Sequence, residues 1–312
     1  MAPKVSRRRL FVLGGAGLLA LGGGGFALVN AEILPGKSKL DGALGRCDAP
    51  LPPADRRATP GPLVTGSLRS AYRRRVVDFA ISYPPGYPDG ARLPVCLALH
   101  GLSSDARTAL AAARYPEYLA GAVRAGAAPF AVAAVDGGNG YWHPHAGERR
   151  LSGPAQVPAR DDPLGMVLDE FLPLLAGRGL DTDRVAVVGW SMGGYGALVA
   201  ALTRPGRFRA VLATSPAIFH SYADAHRVFP GGFDSADEWA RYDVTARARE
   251  FAGMPVHIAV GAADSFVATV RTLRDRLPDP SVVDIAKGCH DYRFWESLAP
   301  AQIQVISRAL AG

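Results

Sequence analysis

From residue 75 onward the chain alternates short apolar runs, rich in Val, Ala and Leu, with longer stretches whose apolar residues recur at helical spacing. Runs at 75–83, 93–99, 130–135, 184–190, 210–214, 256–260 and 281–286 predict strands. Segments 107–125, 163–176, 194–204, 265–277 and 297–310 predict helices between most of them. Near-continuous apolar strands separated by helices imply an α/β fold: a mostly parallel central sheet with helices on both faces and room for antiparallel strands at its start. Residues 32–66 hold six prolines among polar residues without sustained periodicity and read as an extended linker, so the folded domain is expected to span 67–312. Within it, 215–254 breaks the strand–helix rhythm and carries Phe219, Tyr222, Phe229, Phe233 and Trp239. That stretch is a candidate cap insertion lining a pocket, or a surface excursion packed on its own aromatics.

The first 31 residues have a different character. Ser6-Arg7-Arg8-Arg9-Leu10-Phe11 leads into an apolar stretch, 10–29, interrupted by seven glycines, and the small residues of Val29-Asn30-Ala31 suit a cleavage site. This resembles a bacterial twin-arginine export signal, with Leu-Phe in place of the commoner Phe-Leu. Cleaved, it places the domain outside the cytoplasm; retained, residues 10–29 are long enough to associate with the membrane as an anchor. The formal net charge of +7 owes much to this segment. Beyond residue 31 there are 31 basic and 28 acidic side chains, too balanced for a nucleic-acid-binding surface. Of the three cysteines, Cys96 falls inside an apolar strand, whereas Cys47 and Cys289 could pair in an oxidising compartment.

Candidate chemistry gathers where strands end. Gly189-Trp190-Ser191-Met192-Gly193 has the spacing of a nucleophile elbow, preceded by the strand run ending at Trp190 and followed by a helix-forming stretch. A serine hydroxyl is a weak nucleophile at neutral pH and needs a base, with a third group to orient that base. His290 follows the last strand run and precedes the last helix, so it is the expected base. Asp264 follows the run 256–260 directly and is the expected acid, although an aspartate there also suits a helix N-cap. Asp284 and Asp291 stand in reserve. Two backbone N–H groups should hold the oxyanion: that of Met192, after the nucleophile, and that of Leu102 in the turn His100-Gly101-Leu102.

These motifs, with Leu97-Ala98-Leu99-His100-Gly101 and the extended elbow Gly193-Gly194-Tyr195-Gly196-Ala197, resemble the α/β-hydrolase superfamily. Within it the chain resembles the esterase family that includes esterase D-like enzymes and the antigen 85 mycolyltransferases. The resemblance implies a serine esterase or acyltransferase with Ser191, Asp264 and His290 as its triad and Leu102 and Met192 as oxyanion donors. The substrate class is then a small-molecule, lipid or sugar ester, and the rival is a cell-envelope acyltransferase delivering the acyl group to a sugar or lipid hydroxyl. A more remote alternative is a noncatalytic envelope-binding protein. His100, Gly101, Asp136, Tyr141, Trp142 and Trp190 are candidate substrate contacts, the 136–145 loop offering aromatic groups on a glycine-rich turn. His143 and His145 lack a third ligand at metal-binding spacing, so no metal and no cofactor is expected.

Overall fold

A computed structural model describes residues 41–53, 55, 58–146 and 161–312. The proposed export segment lies outside the described residues. Among these, no helix is long and apolar enough to cross a membrane.

Eight strands form one sheet: β1 (Leu63–Ser70), β2 (Arg75–Ser82), β3 (Pro94–Leu99), β4 (Ala131–Val135), β5 (Asp181–Trp190), β6 (Ala210–Thr214), β7 (Val256–Gly261) and β8 (Val283–Ala286). Their spatial order is β1-β2-β4-β3-β5-β6-β7-β8. The β1–β2 and β2–β4 pairs are antiparallel and all others parallel, as the α/β-hydrolase expectation requires. The inner strands β3, β4 and β6 are buried at every position, which is why they read as unbroken apolar runs.

Helices α1 (Ala106–Ala112), α2 (Tyr115–Arg124), α3 (Pro163–Gly165), α4 (Leu172–Gly177), α5 (Met192–Thr203), α6 (Tyr222–Val228), α7 (Ala236–Arg241), α8 (Val267–Arg274) and α9 (Tyr292–Ala311) lie between and after the strands. One core layer joins α1, α2 and α9 to the sheet. The other lies beneath α3, α4, α5, α8 and the 215–254 segment. α3 and α4 are joined by π-helical turns over Met166–Phe171.

Two expectations are corrected. The domain begins before residue 67: β1 starts at Leu63, inside the stretch read as linker. It is an edge strand with only one half-buried face, and Gly66 interrupts it, so its apolar pattern is weak. The single helix expected over 107–125 is two, separated by Arg114 in the left-handed region (φ 50°). Pro116 explains the break, since it has no N–H to donate back to the previous turn.

Candidate active site

The elbow is built by close backbone approach. Ser191 sits between β5 and α5 at φ 56° and ψ −119°, a conformation that costs a non-glycine residue on the order of 1–3 kcal/mol. Its neighbours show why the motif demands glycine. A Cβ at position 189 would fall 2.1 Å from the Gly193 carbonyl oxygen, and one at 193 only 1.9 Å from that of Leu99. Ser191 N–H donates to Thr214 O at 3.0 Å, and Ser191 O accepts from Tyr195 and Ala217 at 3.0 Å each. Its hydroxyl is thereby fixed above the carboxyl edge of the sheet.

Three distant parts of the chain meet there. His290 Nε2 lies 2.8 Å from Ser191 Oγ, and His290 Nδ1 lies 3.1 and 3.0 Å from the two carboxylate oxygens of Asp264. Asp264 is fully buried and also accepts the Phe266 N–H at 2.8 Å, a turn bond; it does not cap the helix that follows, whose N-cap position is Phe266. Asp291 caps α9 by accepting Phe294 N–H at 2.8 Å, and Asp284 lies on edge strand β8, outside the cluster. Phe266 packs at 5.2 Å and Trp295 at 5.5 Å from the His290 ring, and the Trp295 indole donates to Ser215 Oγ at 3.1 Å. Nothing in the local sequence singled out Phe266, Trp295 or Ser215, because each acts only through the fold.

Leu102 and Met192 flank the serine. A Cβ on Gly101 would lie 3.6 Å from Ser191 Cβ, so the turn passes directly beside that serine. Met192 opens α5, where the first N–H groups lack intrahelical acceptors. Neither its N–H nor that of Leu102 donates to any group among the described residues.

Four of the five remaining candidate contacts are buried. Trp190 is fully buried on the opposite side of the sheet against Tyr115, ring centroids 5.3 Å apart. Trp142 is fully buried, its indole donating to His100 O at 3.1 Å. Tyr141, also buried, is the hub on which Tyr195, Phe219, Phe229 and Phe233 converge within 5.5–6.1 Å. Phe219, Phe229 and Phe233 of the 215–254 segment therefore pack on the 136–145 loop. His100 is buried behind the oxyanion turn. Asp136 stays partly exposed, 3.5 Å from the His100 ring, and accepts Gly138 N–H at 2.9 Å.

His143 is fully buried, stacked between Phe233 and Tyr242 at 4.8 and 4.7 Å, with Gly232 O 3.0 Å from Nε2. Burial lowers its pKa to about 4. Between pH 6.5 and that value the unfolded chain takes up a proton that the folded chain refuses. The neutral ring's contribution is therefore complete above pH 6.5 and lost as pH falls through the window, by about 3 kcal/mol. His143→Gln, which keeps a donor for Gly232, should shrink the difference in unfolding free energy between pH 7 and pH 4.5, measured by denaturant titration. An unchanged difference would contradict the assignment.

Comparison with known proteins bears directly on this geometry. Residues 70–279 match the family model Esterase, described as Putative esterase. The chain belongs to that family. Mouse S-formylglutathione hydrolase is 32% identical over 100 residues, a match spanning 31% of this chain and 36% of the mouse enzyme. The S-formylglutathione hydrolase of Paracoccus denitrificans is 29% identical over 225 residues, covering 65% of this chain and 77% of that enzyme. Among solved structures, an S-formylglutathione hydrolase from Agrobacterium tumefaciens superposes with a TM-score of 0.61 at 18% identity, over 81% of this chain and 98% of its own. The esterase match reaches from the end of β1 to just beyond α8, so it contains Ser191 and Asp264 and stops short of His290.

Proposed function

We propose that this esterase-family member is an exported serine hydrolase that cleaves carboxylic esters through an acyl-enzyme. The 2.8 Å contact between His290 Nε2 and Ser191 Oγ carries the reading. In the reaction, His290 takes the Ser191 proton as Oγ bonds to the ester carbonyl carbon. The oxyanion forms against the N–H groups of Leu102 and Met192. As the tetrahedral intermediate collapses, the C–O bond to the alcohol breaks and imidazolium protonates the departing oxygen. Water, deprotonated by the same imidazole, then attacks the acyl carbon and returns the serine. Asp264 holds the Nδ1–H tautomer and stabilises the transient positive charge.

Phe266, against the imidazole, and Phe219, 5.6 Å from Phe266, give the acyl group an apolar flank. The relatives' name, S-formylglutathione hydrolase, adds a thioester of a small acyl group to the substrates worth testing. Export is supported by the disulfide between Cys47 and Cys289, a bond that persists in oxidising compartments.

The test is chemical. A fluorophosphonate probe should label the protein once, and tandem mass spectrometry should place the adduct on Ser191. Turnover of p-nitrophenyl esters and of S-formylglutathione should be lost in step with labelling. An adduct on another residue, or turnover that survives complete labelling, would refute the reading.

A further inference from the structure

We propose that His100 and Asn139 are positioning residues that aim the Leu102 N–H at the oxyanion, an inference that rests on the serine-hydrolase reading. The Gly101 carbonyl and the Leu102 N–H belong to one planar trans peptide, so fixing one points the other in the opposite direction. His100 Nδ1 lies 2.8 Å from Gly101 O. A carbonyl only accepts, so Nδ1 must carry the proton. The opposite nitrogen is committed as well: Gly137 N–H donates to His100 Nε2 at 2.9 Å, which requires a lone pair there. Together the two contacts select one neutral tautomer, and in a ring only 1% exposed water does not replace either partner.

The next peptide is held from the same loop. Asn139 Oδ1 accepts Ser103 N–H at 2.7 Å, and Ser103 is in the left-handed region at φ 60°, where a residue with a Cβ stays only if its surroundings hold it. A third bond, from the Trp142 indole to His100 O, ties the start of the turn to the loop. Peptides on both sides of Leu102 are thus fixed by the segment 137–142, which itself carries two consecutive left-handed residues, Tyr141 and Trp142, at φ 54° and 56°. Burial of both rings, Tyr141 in the aromatic cluster and Trp142 against His100, over-determines that backbone. The loop read from sequence as a substrate-contacting surface is instead a brace. Without it, rotation of the Gly101–Leu102 peptide would present a carbonyl oxygen, repulsive to an oxyanion, where the N–H is needed.

Asn139 is the cleaner handle, because its bond to Ser103 is near the surface. Asn139→Ala should lower kcat for p-nitrophenyl acetate about 10- to 100-fold, less than outright loss of an oxyanion donor. Inhibition by an alkyl boronic acid, whose tetrahedral adduct needs the same N–H, should weaken by a similar factor, with KM and the melting midpoint nearly unchanged. Asn139→Asp, which keeps an acceptor at the Oδ1 position, should recover most of the lost kcat and boronate affinity. His100→Ala, corrected for its folded fraction by circular dichroism, should show the same kcat and boronate losses. Wild-type kcat and boronate inhibition in Asn139→Ala would overturn the inference, as would a kcat loss that merely follows the folded fraction and is not rescued by Asp. If fluorophosphonate still labels Ser191 in that case, only the positioning role falls; an adduct elsewhere on the wild-type protein would remove the reading beneath it.

Discussion

Ser191→Ala and His290→Ala should each lower kcat for an activated ester by about a million-fold, and the double variant should be no worse than either single one. The reason is geometric: His290 Nε2 lies 2.8 Å from Ser191 Oγ, and in the proposed mechanism the two are halves of one proton transfer, so losing either ends it. Asp264→Asn tests the third member through tautomer selection. The Phe266 N–H donating to Oδ1 would fix the asparagine with its carbonyl oxygen there, turning the amide NH2 toward His290 Nδ1. The imidazole would then carry its proton on Nε2, facing the serine, and could no longer accept. A fall of about ten-thousand-fold in kcat with little change in KM is expected. Steady-state and pre-steady-state kinetics on p-nitrophenyl acetate measure all four variants. A single variant losing less than tenfold, or a double variant whose losses multiply, would show that these side chains do not act as a unit.

The elbow was legible because its chemistry is local. Gly189 and Gly193 are required by backbone atoms a few residues away or at the adjoining strand end, and a strand and a helix on either side suffice to recognise the turn. The placement of Asp264 and His290 beside Ser191 was legible for a related reason: in a parallel sheet every strand delivers its following loop to one edge, so a titratable residue just after a strand is already near Ser191. What the sequence concealed depends on partners distant in the chain. Tyr141 and Trp142 look exposed on a glycine-rich loop, but Tyr195, Phe219, Phe229 and Phe233, far along the chain, bury the tyrosine. The buried pairing of Arg73 with Asp161, at 2.8 Å, joins residues 88 apart with no local signature. Likewise Asn139 resembles an ordinary turn residue until Ser103 is found against its side chain.

Breaking the bond between Cys47 and Cys289 should be the largest single loss of stability in this chain outside its apolar core. The two residues are 242 apart in sequence, so the crosslink closes most of the domain into one loop, for which chain entropy predicts about 5 kcal/mol and experience with native disulfides about 2–5. For a domain of this size that is a fall of about 10 °C in melting midpoint. The site feels it too. Cys289 immediately precedes His290, and Cys47 begins a strap whose Ala49 O accepts from Arg293 Nε at 2.9 Å and whose Pro52 O accepts from the Tyr118 hydroxyl at 3.3 Å. The histidine loop is thus tethered through the disulfide on one side and through the Asp291 cap of α9 on the other. Cys96, fully buried with its thiol pKa pushed up by burial, is inert as a competing thiol. Thermal melts of the wild type with and without dithiothreitol, and of the Cys47→Ser/Cys289→Ser variant, should give the same lowered midpoint. Full reduction, verified by thiol titration, that left the midpoint in place would show the strap to be held by its noncovalent contacts alone, and would remove the stability argument for folding in an oxidising compartment.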